Sequence, residues 1–180
     1  MELTIAEIEE RMLPGSFSEK GFLGIGEHLE EVIKKDTQTL ELLGIGYSNL
    51  ADALEAIIKA GEARPGWSIR YQHFSIKAII YPGFQICPWA DSSGNKQCTS
   101  GGVMRHASVD WTIKNHKNGM EMSGPGMIVH LIREHHFFEG EQSPYRIDPL
   151  KLAQLLDLIK VEPQQFNIRS FLKKIKNYFS

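Results

Sequence analysis

The chain has 180 residues, 42% of them hydrophobic and 23% charged, with a formal net charge of −2. That balance supports a real core without disulfides and excludes a disulfide mini-protein and a disordered tail; no global field points to nucleic acid or membrane. The start is acidic (Glu2, Glu7, Glu9, Glu10) where a secretory leader would be basic and then apolar, and no apolar run approaches the roughly 20 residues of a membrane span.

The charge is unevenly placed: residues 1–66 hold 13 acids and 6 bases, residues 67–180 hold 9 acids and 14 bases. Glu-rich solvent faces on helices account for the acidic half, and attraction between the halves or an anionic partner is the sharper alternative.

The first third reads as helices. Thr4 with Glu7 three residues on makes a capping-box pattern, and Leu13-Pro14-Gly15-Ser16 ends the helix it opens. Gly21–Gly26 is glycine-rich, but no strand precedes it and no Lys-Ser/Thr follows, which argues against a phosphate loop. A second helix is predicted from Glu27 to Leu43, burying Leu29, Val32, Ile33, Leu40 and Leu43 and stopping at Gly44. In a third, Leu50, Ala53, Leu54, Ile57 and Ile58 share one stripe, with Ser48 or Asn49 as cap. The short glycine turn between the last two suggests an antiparallel helical hairpin.

The middle third reads as a small antiparallel sheet. Residues 67–80 alternate as one strand whose phase slips at His73-Phe74, which a bulge or break would explain. After the turn Tyr81-Pro82-Gly83, a second strand is expected from Phe84 to Cys87 and a third from Val103 to Asn115. The third turns Ala107, Val109, Trp111 and Ile113 to the core and His106, Ser108, Asp110 and Thr112 the other way. A triad made of His106, Ser108 and Asp110 fails on distance, because alternate residues on a strand face sit about 7 Å apart. Asn118-Gly119 signals a hairpin that returns Met120–Met122 to the sheet.

The last third returns to helix. Pro125 suits a first helical turn, with Met127, Ile128, Leu131 and Ile132 buried up to His136. Asp148-Pro149 is a cap followed by a helix to Ile159, apolar almost all round and so expected to be deeply buried. A final helix after Pro163 has a basic face of Arg169, Lys173, Lys174 and Lys176, read as a solvated face. It lacks the aromatic-and-basic repeats of single-strand binders, which argues against a nucleic-acid partner.

One constellation carries chemistry. Two cysteines, Cys87 and Cys98, precede a histidine-rich string, His130-Leu-Ile-Arg-Glu-His135-His136. Two thiolates and two imidazoles suit a tetrahedral structural zinc site, and cytosolic thiols are available for it. The string His130–His135 resembles the helical His-x4-His end of a Cys2His2 zinc finger. The resemblance covers six residues and the cysteine pair. The spacings depart from that pattern, with ten residues between the cysteines and 31 from Cys98 to His130, so the DNA-reading role does not carry over. Positions five apart lie about 140° apart around an ideal helix, so the two histidines converge only where a helix end tightens or loosens; His106 or His136 could replace either. Buried thiols beside unrelated histidines, or a Cys87–Cys98 disulfide, are the competing readings.

The sequence therefore predicts an α+β fold with an N-terminal helical segment (1–66), an α+β core (67–161) holding the zinc site Cys87, Cys98, His130 and His135, and a C-terminal amphipathic helix (162–180). It predicts a cytoplasmic protein that binds or regulates a protein or small-molecule partner. The rival is a metal-dependent hydrolase with His106, Asp110, His130 and His135 as ligands and Glu134 as general base, but the string lacks the His-Glu-x-x-His spacing. A third reading is a small-ligand pocket lined by Trp89, Trp111 and Tyr145.

Overall fold

A computed structural model describes residues 3–83, 86–90 and 109–159. The fold is α+β: three helices, a four-stranded antiparallel sheet, then two further helices among these residues. Helix α1 (Ile5–Met12) opens on the expected capping box, with Thr4 and Glu7 exchanging side-chain and backbone hydrogen bonds. Helix α2 (Leu29–Leu43) ends at Gly44, whose φ of 66° permits the left-handed cap. No side chain of its own caps the start of α2. Glu9 on α1 accepts the Leu29 N–H at 2.7 Å instead, so one helix caps the next.

Helix α3 (Tyr47–Glu62) begins two or three residues earlier than the cap residues suggest. Gly46 is the N-cap, and Ser48 and Asn49 lie inside the first turn. The stripe on α3 packs chiefly against α4 (Met127–His135) and strand β2 (Phe74–Ile80), while α2 packs on α5 (Pro149–Leu155). The two helices joined by the glycine turn thus find their main partners elsewhere, and not chiefly in each other as a hairpin would. Gly61 explains the close seat of α3 on the sheet, because a Cβ there would come within 2.5 Å of Ile76.

The stretch predicted as one strand over 67–80 is a hairpin. Strand β1 (Ser68–Tyr71) pairs with β2, and the register Tyr71↔Phe74 leaves only Gln72 and His73 to turn the chain. Gln72 supplies the positive φ of 53° that tight hairpin turns require. The phase slip was the trace of a reversal, not of a bulge. Strand β3 (Val109–Asn115) pairs with β2 and with β4 (Glu121–Pro125), giving the order β1-β2-β3-β4. Val109, Trp111 and Ile113 are buried and Asp110 is exposed, as the alternation requires. Gly119 turns the chain back at φ 75° with its N–H on Asn115 O.

Pro125 closes β4 instead of opening a helix. It sits on an edge strand, where its missing N–H costs no ladder bond, and its carbonyl accepts the buried Trp111 indole N–H at 3.1 Å. Helix α4 follows from the cap Gly126. Helix α5 starts as predicted, with Asp148 accepting the Lys151 N–H and Pro149 first, but it stops at Leu155. Leu152, Ala153, Leu155 and Leu156 are buried whereas Leu150 and Leu158 are exposed, so its burial is one-sided.

The glycine-rich segment 21–24 is spent on structure. Phe22 and Leu23 are buried, both of their N–H groups go to Met12 O, and Phe22 O accepts from Gly140. One contiguous core runs from Ile8 through the sheet to Leu156. Residues 84–85, 91–108 and 160–180, which include half of the predicted second strand, the start of the third and the basic final helix, lie outside the described residues.

Candidate metal centre

Helix α4 is held by apolar anchors. Met127, Ile128, Val129, Leu131 and Ile132 are buried, which leaves His130 and His135 half-buried along the side that meets residues 86–90. The helix ends loosely. The N–H of His136 bonds five residues back to Leu131 O, His136 takes a left-handed φ of 56°, and the Phe137 N–H also reaches Leu131 O. Across this end the His130 and His135 rings stand edge to face, 5.1 Å between centroids and 77° between planes.

Cys87 comes to them from a turn. Its carbonyl accepts the Ala90 N–H at 2.9 Å, and Cys87, Pro88 and Ala90 are buried. Cys87 is therefore not on the strand predicted to end there. Its Sγ lies 3.3 Å from His135 Nε2 and 3.4 Å from His130 Nε2. All three donor atoms lie within 4.8 Å of one another, and this is the one group of three or more such residues among those described that could hold a metal ion. Zinc bonds of about 2.3 Å to sulfur and about 2.0 Å to nitrogen set tetrahedral S···N edges near 3.5 Å. The two S···N distances lie close to that edge, and the group could hold a metal ion.

Electrostatics favour the ligating form of both rings. Burial lowers the His130 pKa, with Glu134 opposing and Arg133 adding to the effect. Burial, with His130 and His136 nearby, pushes His135 down to about 3. Neutral imidazoles offer the lone pairs that a metal needs. Trp89 stacks on the His135 ring, 4.0 Å away and 3° from parallel, and meets Phe137 edge-on, which fixes the plane of that ring.

The remaining candidates are placed as follows. Cys98 and His106 lie outside the described residues. His136 turns away from the cluster and stacks on Tyr47 at 4.1 Å. Asp110, a ligand in the hydrolase reading, stands outside the Cys87–His130–His135 group. It lines a cavity of about 370 Å³ on the other sheet face with Lys77, Thr112, Ser123 and Tyr145. Trp111 and Tyr145 border that cavity and Trp89 does not, so the expected three-aromatic pocket is split. His73 packs on Phe74 with its Nε2 2.6 Å from Asp157 Oδ2, at a sheet corner shared with Asn115 and Lys117.

Two contacts of the cluster were not read from sequence: the stacking of Trp89, expected there only as a pocket wall, on His135, and the hydrogen bonds of Arg11 to the Cys87 turn. The tryptophan two residues after Cys87 was the available signal for the first. Nothing local marks Arg11. Comparison of the chain with protein-family models, with curated proteins and with solved structures gives no match.

Proposed function

We propose that this protein is a zinc-stabilised binding or regulatory protein of the cytoplasm, with Cys87, Cys98, His130 and His135 as the four ligands. The observation that carries the reading is the pair of S···N separations, 3.3 and 3.4 Å, between a buried thiol and two imidazoles from a different part of the chain. One supporting fact bears on the role of the ion. The site is walled by Trp89, Phe137 and buried α4 side chains, as structural centres are. No helix among the described residues is long and apolar enough to cross a membrane. The function is then borne by the protein's surface, and the ion holds the segment after β2 against α4.

Metal analysis of the purified full chain tests this, with the thiols titrated in parallel. The expected result is one equivalent of zinc, lost in Cys87→Ser and in Cys98→Ser. At zinc a thousandfold above Kd, the bound ion adds about 4 kcal/mol to stability, which is about 10 °C of Tm for a chain of this size. Wild-type protein that takes up no zinc when it is supplied, or that keeps full zinc content as Cys87→Ser, overturns the reading. Retention by Cys98→Ser alone removes Cys98 from the ligand set.

A further inference from the structure

The turn that delivers Cys87 is gripped from the far end of the chain. Arg11, in the last turn of α1, donates from one guanidinium nitrogen to Pro88 O at 3.2 Å and to Ala90 O at 2.5 Å. A basic residue at a helix end commonly meets the carbonyls of its own helix. This one crosses 77 and 79 positions of sequence to two carbonyls of a single turn. The guanidinium also lies 5.2 Å from the Phe17 ring centroid, which fixes its plane. Helix α1 is itself seated by Ile8 and Met12 in the core and by Glu9 on the first turn of α2. Seated helix, guanidinium, turn and thiol sulfur thus form one continuous chain of contacts that ends at the two imidazoles.

Resting on the zinc reading above, we propose that metal loading and docking of the N-terminal helix are coupled through Arg11, a positioning residue that holds the Cys87–Ala90 turn in ligating position. Bonding both carbonyls sets the turn's orientation and so the direction of the Cys87 Cβ–Sγ bond. Coupling between two sites is reciprocal: the factor by which Arg11 raises zinc affinity is the factor by which zinc tightens α1. The ion would then regulate whether the N-terminal helix is held down or released.

The test uses the full chain as wild type, Arg11→Ala and Arg11→Lys. Zinc affinity is read by chelator competition, and the coordination by thiolate-to-metal absorption of the cobalt form. Hydrogen exchange over residues 5–12 is followed with and without zinc. Arg11→Ala is expected to bind zinc about 10- to 100-fold more weakly, the range seen when groups that orient ligands are removed. Arg11→Lys, which keeps a cation over Phe17 but reaches one carbonyl, should fall between. Zinc should slow exchange in α1 of the wild type and do so less in the variants. Folded Arg11→Ala that binds zinc as wild type does overturns the coupling while the zinc reading stands. If Arg11→Ala fails to fold, unchanged zinc affinity in Arg11→Lys overturns it equally. Wild type that binds no zinc removes the site itself, and the coupling with it.

Discussion

Glu139 is a buried carboxyl whose surroundings differ sharply from water. It is buried, it lies at φ 67°, its carboxyl is bonded to Ser143 Oγ at 2.5 Å, and burial pushes its pKa up to about 7. A carboxyl with a raised folded pKa holds its proton, so its contribution is fully present below the ordinary value near 4.5 and is lost as pH rises through 7. Glu139→Gln keeps the hydrogen-bonding shape without the charge. It should be more stable than wild type by about 2–3 kcal/mol at pH 8 and nearly equal to it at pH 4.5. Urea unfolding of both proteins across that range measures the difference, and parallel pH curves would contradict it. The same scale shows what residue types can and cannot announce. A pair of thiols and a histidine cluster were visible as candidate ligands, because few other side chains bind zinc. The buried state of Glu139 was not, because a carboxylate carries no mark of burial in its own residue type, and the two phenylalanines before it do not fix which way it points.

Elements were legible where their signals are local. The capping box of α1, the glycine that ends α2, the Asp148-Pro149 start of α5 and the Asn118-Gly119 reversal all stand as the sequence indicates. The errors fall where the deciding partner is remote or the turn carries no Gly or Asn. The β1–β2 reversal uses Gln72-His73, and the α2 cap is a side chain 20 positions away. Pro125 has the features of a helix start, yet the ladder with Asp110 claims it for a strand. Gly61 offers a test of the helix–sheet seat. Alanine gains about 1 kcal/mol of helix propensity over glycine, but a Cβ 2.5 Å from Ile76 Cγ1 overpacks the contact, at about 1–3 kcal/mol. Gly61→Ala should therefore lose about 1 kcal/mol and Gly61→Val more, measured as denaturation midpoints. A stabilised Gly61→Ala would mean that α3 has room to lift.

At the scale of the whole molecule, a two-pronged ion pair joins α2 to the segment before α5. Arg146 grips Asp36 through both guanidinium nitrogens, at 2.5 and 2.7 Å, and donates to Glu139 O as well. Asp36 is almost fully buried; burial raises its carboxyl, and pairing with Arg146 works against that rise. Removing one partner strands the other charge. Arg146→Met should cost about 3–5 kcal/mol, and the double variant Asp36→Leu/Arg146→Met should recover most of it. A thermal or urea cycle of the four proteins checks this, and equal losses in single and double variants would refute it. Asp36 lies on the face of α2 with Leu29, Val32 and Leu40, where the hydrophobic pattern alone expects no carboxylate.

By itself the sequence determined the helix–sheet–helix order, the alternation that buries Val109, Trp111 and Ile113, and the residue types able to bind a metal. Each of these follows from periods of two or 3.6 residues, from caps a few positions long, or from side-chain chemistry, all carried within one short window. Only the tertiary structure decided that Cys87 meets His130 and His135, that Asp110 faces a different cavity, and that Arg11 reaches the Cys87 turn. These contacts span from 43 to 79 positions. Which distant groups meet is settled by how the buried faces of α3, α4 and the sheet pack together, a constraint that no local pattern contains.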